Sequence, residues 1–168
     1  MQIEVKSAMD KVNKVYLSWV DVDKLIVSLM PRLQAYNYDL VIAITRGGIV
    51  PAAIIAERLA IQQVLVASVD FYEDKEHDLD WPVFMQFPAD SFLRGKEALI
   101  VDDIWDRGKQ VVSVTERVKY AGGRSRSVVL HYKPHRSQFS DKSPDFYAVQ
   151  TEDWIIYPWE AERGKLGV

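Results

Sequence analysis

Two stretches of the chain are apolar without a break, Leu40–Ile44 and Ala98–Val101, and each runs into a polar, glycine-bearing turn followed by an amphipathic segment. Unbroken apolar runs of this length suit strands covered on both faces. The first run predicts a strand, a turn at Thr45-Arg46-Gly47-Gly48, a helix over Ile49–Leu59 and a second strand over Val64–Phe71. Together these make one βαβ unit, for which a right-handed crossover is expected. The second run predicts a strand at Ala98–Val101, a connecting loop from Asp102 to Gln110 and a helix from Val111 to Tyr120. That helix stops at Gly122-Gly123 and leads to a strand at Ser127–His131. Two successive units of this kind predict an α/β fold with an open, mainly parallel, twisted sheet flanked by helices.

Around these units the pattern is less regular. Val15–Trp19 reads as a short strand, and Asp21 or Asp23 is placed to cap a helix to about Tyr36 that lines up Leu25, Ile26, Leu29 and Leu33. Glu73 to Ala89 holds five acidic residues, Lys75, His77 and two prolines, with only Trp81–Phe87 offering an edge strand; most of it reads as a mobile loop. Beyond Pro134 order returns at Phe146–Val149, and Thr151–Glu160, rich in aromatics, reads as a lid over the sheet. One domain is expected over residues 1–168, with a core of about 15–131 and a small C-terminal hood of about 132–160.

Composition narrows the function classes. The net charge is −3, and the one basic cluster, Lys119, Arg124 and Arg126, reads as a solvated helix end, so nucleic acid is not an expected partner. With no cysteine there is no disulfide, thiolate ligand or cysteine nucleophile. No leader-like or membrane-length apolar run is present, which predicts a cytoplasmic protein with no membrane partner.

Candidate chemistry gathers on the two turns, because ligands of open α/β sheets bind beyond the carboxyl ends of the strands. Asp102 and Asp103 put two carboxylates at a strand end, Asp106 adds a third, and Gly108 lets backbone N–H groups converge on an anion at a helix start. Taken singly, a double aspartate is as readily a capping turn, and Gly47-Gly48 simple turn chemistry; their combination is what points to a site. Gly108-Lys109 is followed by Gln110, which departs from the ATPase phosphate loop. His131 and His135 have Pro134 between them and no third ligand in view, an arrangement that argues against zinc.

The run Ala98-Leu-Ile-Val-Asp-Asp-Ile-Trp-Asp-Arg-Gly-Lys-Gln110 resembles the phosphoribosyl pyrophosphate signature of type I phosphoribosyltransferases. Ile44-Thr-Arg-Gly-Gly-Ile-Val-Pro51 is similar to that family's pyrophosphate loop. Glu152-Asp-Trp-Ile-Ile-Tyr-Pro-Trp-Glu160 is similar to the C-terminal segment of its xanthine-guanine and archaeal purine branch. The resemblance spans nearly the whole chain and implies transfer of a 6-oxopurine (guanine, xanthine or hypoxanthine) onto the ribose of phosphoribosyl pyrophosphate, with Mg2+ as cofactor and a homodimer or homotetramer as the assembly.

By the same resemblance, Asp102 and Asp103 hold the ribose hydroxyls and Asp103 serves the metal. Asp106 faces the imidazole nitrogen that does not join the sugar. Backbone and side chains of Asp106, Arg107, Gly108, Lys109 and Gln110 cradle the 5-phosphate. Thr45, Arg46, Gly47 and Gly48 take the pyrophosphate, with a cis peptide expected at Thr45–Arg46, and Arg46 joins Asp106 as a catalytic group. The base falls to Lys133, Trp154 and Ile155: an ammonium only donates, so it favours a keto oxygen over the amino group of adenine. The segment from Glu73 to Ala89 is the implied lid. Arg107 and Gln110 replace two threonines of the signature, and Asp70 stands where relatives can carry a basic residue. Those departures keep two competing readings open, a catalytically weak nucleotide-binding or phosphoribosyl pyrophosphate-binding regulator and a transferase for another base.

Overall fold

The computed structural model describes residues 13–74 and 79–160. In chain order the elements are β1 (Lys14–Tyr16), α1 (Trp19–Leu33), β2 (Leu40–Ile44), α2 (Ile49–Arg58), β3 (Val64–Asp74) and β4 (Leu79–Gln86). They continue with α3 (Asp90–Leu93), β5 (Glu97–Trp105), α4 (Lys109–Tyr120), β6 (Arg124–Tyr132), β7 (Phe146–Gln150) and β8 (Trp154–Ile156). Among the described residues six strands form one sheet in the order β4-β3-β2-β5-β6-β7. Every pairing in it is parallel except β3 with β4.

The two apolar runs sit side by side at the centre. Every residue of β2 is buried, and alternate side chains feed opposite cores: Val41 and Ala43 pack with Val22, Ile26 and Leu29 of α1 and Ile55 of α2, whereas Leu40, Ile42 and Ile44 share a cluster with Val111, Val114 and Val118 of α4. Strand β5 divides in the same way, Leu99 and Val101 to one side and Ala98 and Ile100 to the other. Burial of each such side chain contributes roughly 1.5–3 kcal/mol, which is why both faces of the sheet carry helices.

Helix α1 begins two residues before the expected Asp21. Its cap is Ser18, whose hydroxyl accepts from the Asp21 N–H at 3.2 Å while an Asp21 carboxylate oxygen accepts from the Ser18 N–H at 2.9 Å. Asp21 is thus the reciprocal partner in a capping box and Asp23 instead pairs with Arg58. The short strand before it, expected at Val15–Trp19, is Lys14–Tyr16, and it joins neither core layer. It pairs in parallel with β8, Tyr16 opposite Ile156, so the hood is built from both ends of the described chain and carries a small sheet of its own.

The segment from Glu73 to Ala89, expected to be a mobile loop and lid, is mostly sheet. Strand β3 runs on to Asp74 and turns back as β4 in an antiparallel ladder from Asp74–Leu79 to Ser68–Gln86, with a register shift at Ser68/Val69. Phe71, Phe84 and Phe87 pack on the α4 side, and Tyr72 and Trp81 pair with ring centroids 4.7 Å apart. Backbone pairing with β3 and the packing of Phe84 and Phe87 outweigh the acidic composition, and Pro82 is tolerated because β4 lies at the sheet edge. Lys75 and His77 lie outside the described residues.

The expected loop Asp102–Gln110 is also shorter than its composition suggests. Strand β5 continues through both aspartates to Trp105, and α4 already starts at Lys109. Strand pairing with β6 holds those carboxylates on extended backbone. Among the described residues no helix is long and apolar enough to cross a membrane.

Candidate active site

Register places the chemistry. Ala43 pairs with Val101, so the turn that follows Ile44 reverses alongside Asp102 and Asp103. Trp105 pairs with Tyr132, so Asp106 and Lys133 leave their strands abreast. The result is a cleft of about 320 Å³ at the carboxyl ends of β2, β5 and β6. Thr45, Arg46, Gly47, Asp102, Asp103, Asp106, Gln110, Lys133, Trp154 and Ile155 all line it. A second cleft of about 400 Å³ adjoins it, sharing Asp102, Asp106 and Gln110 and adding Arg107, Gly108, Lys109 and Asp70. Arg46, the three aspartates and Trp154, separated by more than a hundred positions, therefore open onto one space.

Close approach explains two glycines. A Cβ at Gly47 would run into the Asp103 carboxylate, and one at Gly108 into the Trp105 ring. Gly108 also has φ +84° and caps α4 without a side-chain hydrogen bond, leaving the start of that helix shaped for an anion. Gly48 is different from the sequence expectation: it does not line the cleft but is the buried N-cap of α2, where a Cβ would meet the main chain of Val101 and Ile44. The Thr45–Arg46 peptide is cis.

The acidic end is buried. Asp102 and Asp103 are 4% and 8% exposed, and the Asp103 N–H donates to Asp102 Oδ1 at 3.0 Å. Burial, and then the Glu160 carboxylate, raise the Asp103 pKa from 3.8 to about 6; burial, and then Asp103, raise that of Asp102 well above its ordinary value. Two crowded buried carboxylates with a third nearby call for a cation. Asp102 and Asp103 supply the one or two carboxylates that a magnesium ion takes from protein, its remaining oxygens coming from water and phosphate.

The opposite end combines a donor and an apolar plane. Lys133 is 2% exposed. Its Nζ lies 3.9 Å from Asp106 Oδ2 and 6.0 Å from the centroid of the Trp154 ring, whose outer face is open to solvent. Its N–H donates to the Trp105 carbonyl at 2.9 Å, which fixes the root of the side chain.

Sequence reasoning missed three neighbours. Arg136, in the 3₁₀ turn Pro134–Arg136, donates from Nε to Asp106 Oδ1 at 2.6 Å. Glu160 lines the cleft, and its Oε2 accepts from the Tyr157 N–H at 3.1 Å. Tyr157 is buried, and its hydroxyl donates to the Asp103 carbonyl at 2.9 Å. Glu160 and Tyr157 fall inside the aromatic C-terminal segment, so their position was visible but their partners were not. His131, set aside as a metal ligand, has its Nδ1 2.8 Å from the Tyr157 hydroxyl. Burial, and then Lys133, lower its pKa from 6.5 to about 4.

The chain is similar to known proteins over most of its length. Residues 16–163 match the family described as "Phosphoribosyl transferase domain". The chain is 32% identical over 147 residues to the xanthine-guanine phosphoribosyltransferase of Idiomarina loihiensis, covering 86% of each. It is 30% identical over 158 residues to that of Nitratidesulfovibrio vulgaris, covering 93% of this chain and 91% of the relative. Among solved structures, the purine phosphoribosyltransferase from Pyrococcus horikoshii Ot3 superposes with a TM-score of 0.74 at 37% identity, covering 88% of this chain and 94% of that one.

Proposed function

The chain belongs to the phosphoribosyl transferase domain family, and on that premise we propose that it transfers the phosphoribosyl group of phosphoribosyl pyrophosphate to a 6-oxopurine, forming the nucleoside monophosphate and pyrophosphate. The observation that carries the reading is the single cleft shared by Arg46, Asp102, Asp103, Asp106, Lys133 and Trp154. It offers cation and glycine backbone for pyrophosphate, carboxylates for sugar hydroxyls, and a lysine over an aromatic plane for the base.

In the reaction the bond from the sugar C1 to the pyrophosphate oxygen breaks, and the bond from C1 to a purine imidazole nitrogen forms. Departure of pyrophosphate leaves the sugar with positive character, so charge on the leaving group has to be stabilised where it develops. Arg46 and the N–H groups of the Thr45–Gly47 turn take that role. Asp102 and Asp103 bind the ribose hydroxyls, and the start of α4 holds the 5-phosphate, with Gly108 allowing the approach.

Asp106 accepts the proton from the other imidazole nitrogen as the new bond forms, the positioned-carboxylate role of general base catalysis. Lys133 donates to the exocyclic 6-oxygen, Trp154 stacks on the ring, and the Ile155 carbonyl accepts from its edge. An amino group at position 6 would face a donor with a donor, which is the kind of buried mismatch that discriminates strongly. Magnesium fits the acidic end through Asp103, with Glu160 close by. When bound, it supplies charge neutralisation for the pyrophosphate oxygens and for the crowded carboxylates. A homodimer or homotetramer is the assembly we expect.

Incubation with phosphoribosyl pyrophosphate, magnesium and guanine, xanthine, hypoxanthine or adenine in turn tests the proposal. Nucleotide and pyrophosphate should form with 6-oxopurines and not with adenine. Tight calorimetric binding of phosphoribosyl pyrophosphate without turnover of any base would instead support a binding regulator, and turnover of a different base would reassign the acceptor.

A further inference from the structure

We infer that Tyr157 is a positioning residue for the reaction: its hydroxyl, held by His131, pins the Asp103 carbonyl while its main-chain N–H holds the Glu160 carboxylate, so the hood sets how two acidic groups face each other across the cleft. This rests on the function proposed above and assigns Tyr157 a role exerted through Asp103 and Glu160.

Tyr157 follows directly on β8, the strand that ties the hood to β1. Its ring is 1% exposed and lies parallel to that of Trp159 at 4.7 Å and 4°, and Trp159 in turn meets Trp19 at the start of α1, centroids 6.0 Å apart. The ring is therefore fixed by packing from both chain ends. A buried phenol needs a partner, and this one reaches across 54 positions to the Asp103 carbonyl. Strand β2 stops pairing with β5 at Val101, so the main chain at Asp103 has lost that neighbour, and the hydroxyl supplies a bond where the ladder no longer does.

Proton arithmetic fixes the rest. The Asp103 carbonyl can only accept, so the single Tyr157 proton goes to it. The contact with His131 at 2.8 Å must then be donated by Nδ1–H. His131 is thus locked as the Nδ1-protonated tautomer, and loss of either ring's polar atom strands a buried partner. Because the Asp103 carboxylate packs against Gly47, a shift of the Asp103 backbone moves that carboxylate relative to the pyrophosphate turn. Misplacement of about 1 Å can cost on the order of 100-fold in rate.

The test uses Tyr157→Phe, His131→Asn and His131→Leu in the full chain, at a temperature where each remains folded by circular dichroism. Y157F keeps the stacked ring and removes only the hydroxyl. Expected is a fall of about 10- to 100-fold in kcat/KM for phosphoribosyl pyrophosphate in Y157F and H131L, with KM for the base within about threefold. H131N, which keeps a donor where Nδ1 stood, should retain most of the activity that H131L loses. Nitrogen chemical shifts of labelled histidine should show His131 protonated on Nδ1 in the unsubstituted protein and released from that tautomer in Y157F. Unchanged kinetics in Y157F, equal losses in H131N and H131L, or an Nε2-protonated His131 would each overturn the inference. If the unsubstituted protein turns over no 6-oxopurine, the proposed function fails by itself. The clamp is then decided by the tautomer and by calorimetric affinity for magnesium phosphoribosyl pyrophosphate, which Y157F should weaken by about 10-fold or more.

Discussion

Arg136 donates from Nε to Asp106 Oδ1 at 2.6 Å, across 30 positions of sequence, and so holds one oxygen of the carboxylate proposed above as the general base. The other oxygen is turned toward Lys133, 3.9 Å away. A carboxylate anchored in this way is restrained in orientation, which is how positioning contributes to general base catalysis.

Asp106→Asn should therefore lose turnover more than binding. The expected change is about 10²- to 10⁴-fold in kcat, with KM for phosphoribosyl pyrophosphate held within about threefold. Arg136→Gln should lower kcat by about 10-fold through the lost charged hydrogen bond, and should do nothing further in the Asp106→Asn background, since the two act as one unit. Steady-state kinetics of the four proteins checks both statements; full activity in Asp106→Asn sinks the assignment.

Gly47→Ala should be folded but poor at binding. The added methyl meets the Asp103 carboxylate, and either that carboxylate or the pyrophosphate turn has to move. We expect KM for phosphoribosyl pyrophosphate to rise by about 10-fold or more while the urea midpoint stays near that of the unsubstituted protein. A variant with unchanged KM would show that this close approach carries no function.

Trp154→Ala should weaken the base and spare the sugar phosphate. The ring is 52% exposed, so it contributes little to the core, and stacking on a base is worth about 1–3 kcal/mol. KM for the purine should rise by about 10- to 100-fold, and Trp154→Phe should recover much of it, read by varying each substrate at saturation of the other.

His131 predicts a pH dependence of stability. Its pKa falls from 6.5 to about 4 on folding, so between those values the unfolded chain binds more protons than the folded one. Stability therefore rises with pH across this window, and is lost as pH drops from about 6.5 toward 4. His131→Asn removes the linkage, and should reduce the loss between pH 6.5 and 4.5 by on the order of 2 kcal/mol, measured by urea unfolding at both values. Identical slopes in the two proteins would mean that His131 is not held neutral.

Much of the architecture was legible because its signals are local. Leu40–Ile44 and Ala98–Val101 have the unbroken apolar pattern of strands covered on both faces, and glycines at 47 and 108 sit in turns where backbone can come close to a ligand. The hairpin was not legible: an acidic, proline-bearing stretch hid its second strand, and the packing of Phe84 and Phe87 beside Phe71 depends on the tertiary cluster that includes α4. Ser18 was overlooked as the cap of α1 because two aspartates nearby are equally good caps in isolation, and only the reciprocal hydrogen bond decides among them.

The sequence alone indicated which residues can carry charge, which turns are shaped for an anion, and that two βαβ units place those turns at the same edge of a sheet. Tertiary structure decided what each charged group faces. Arg136 on Asp106, Tyr157 on Asp103 and β1 beside β8 are contacts between distant segments, set by strand register and by the packing of the hood. Local patterning encodes burial and backbone shape, whereas the partner of a polar atom depends on where the rest of the chain is held.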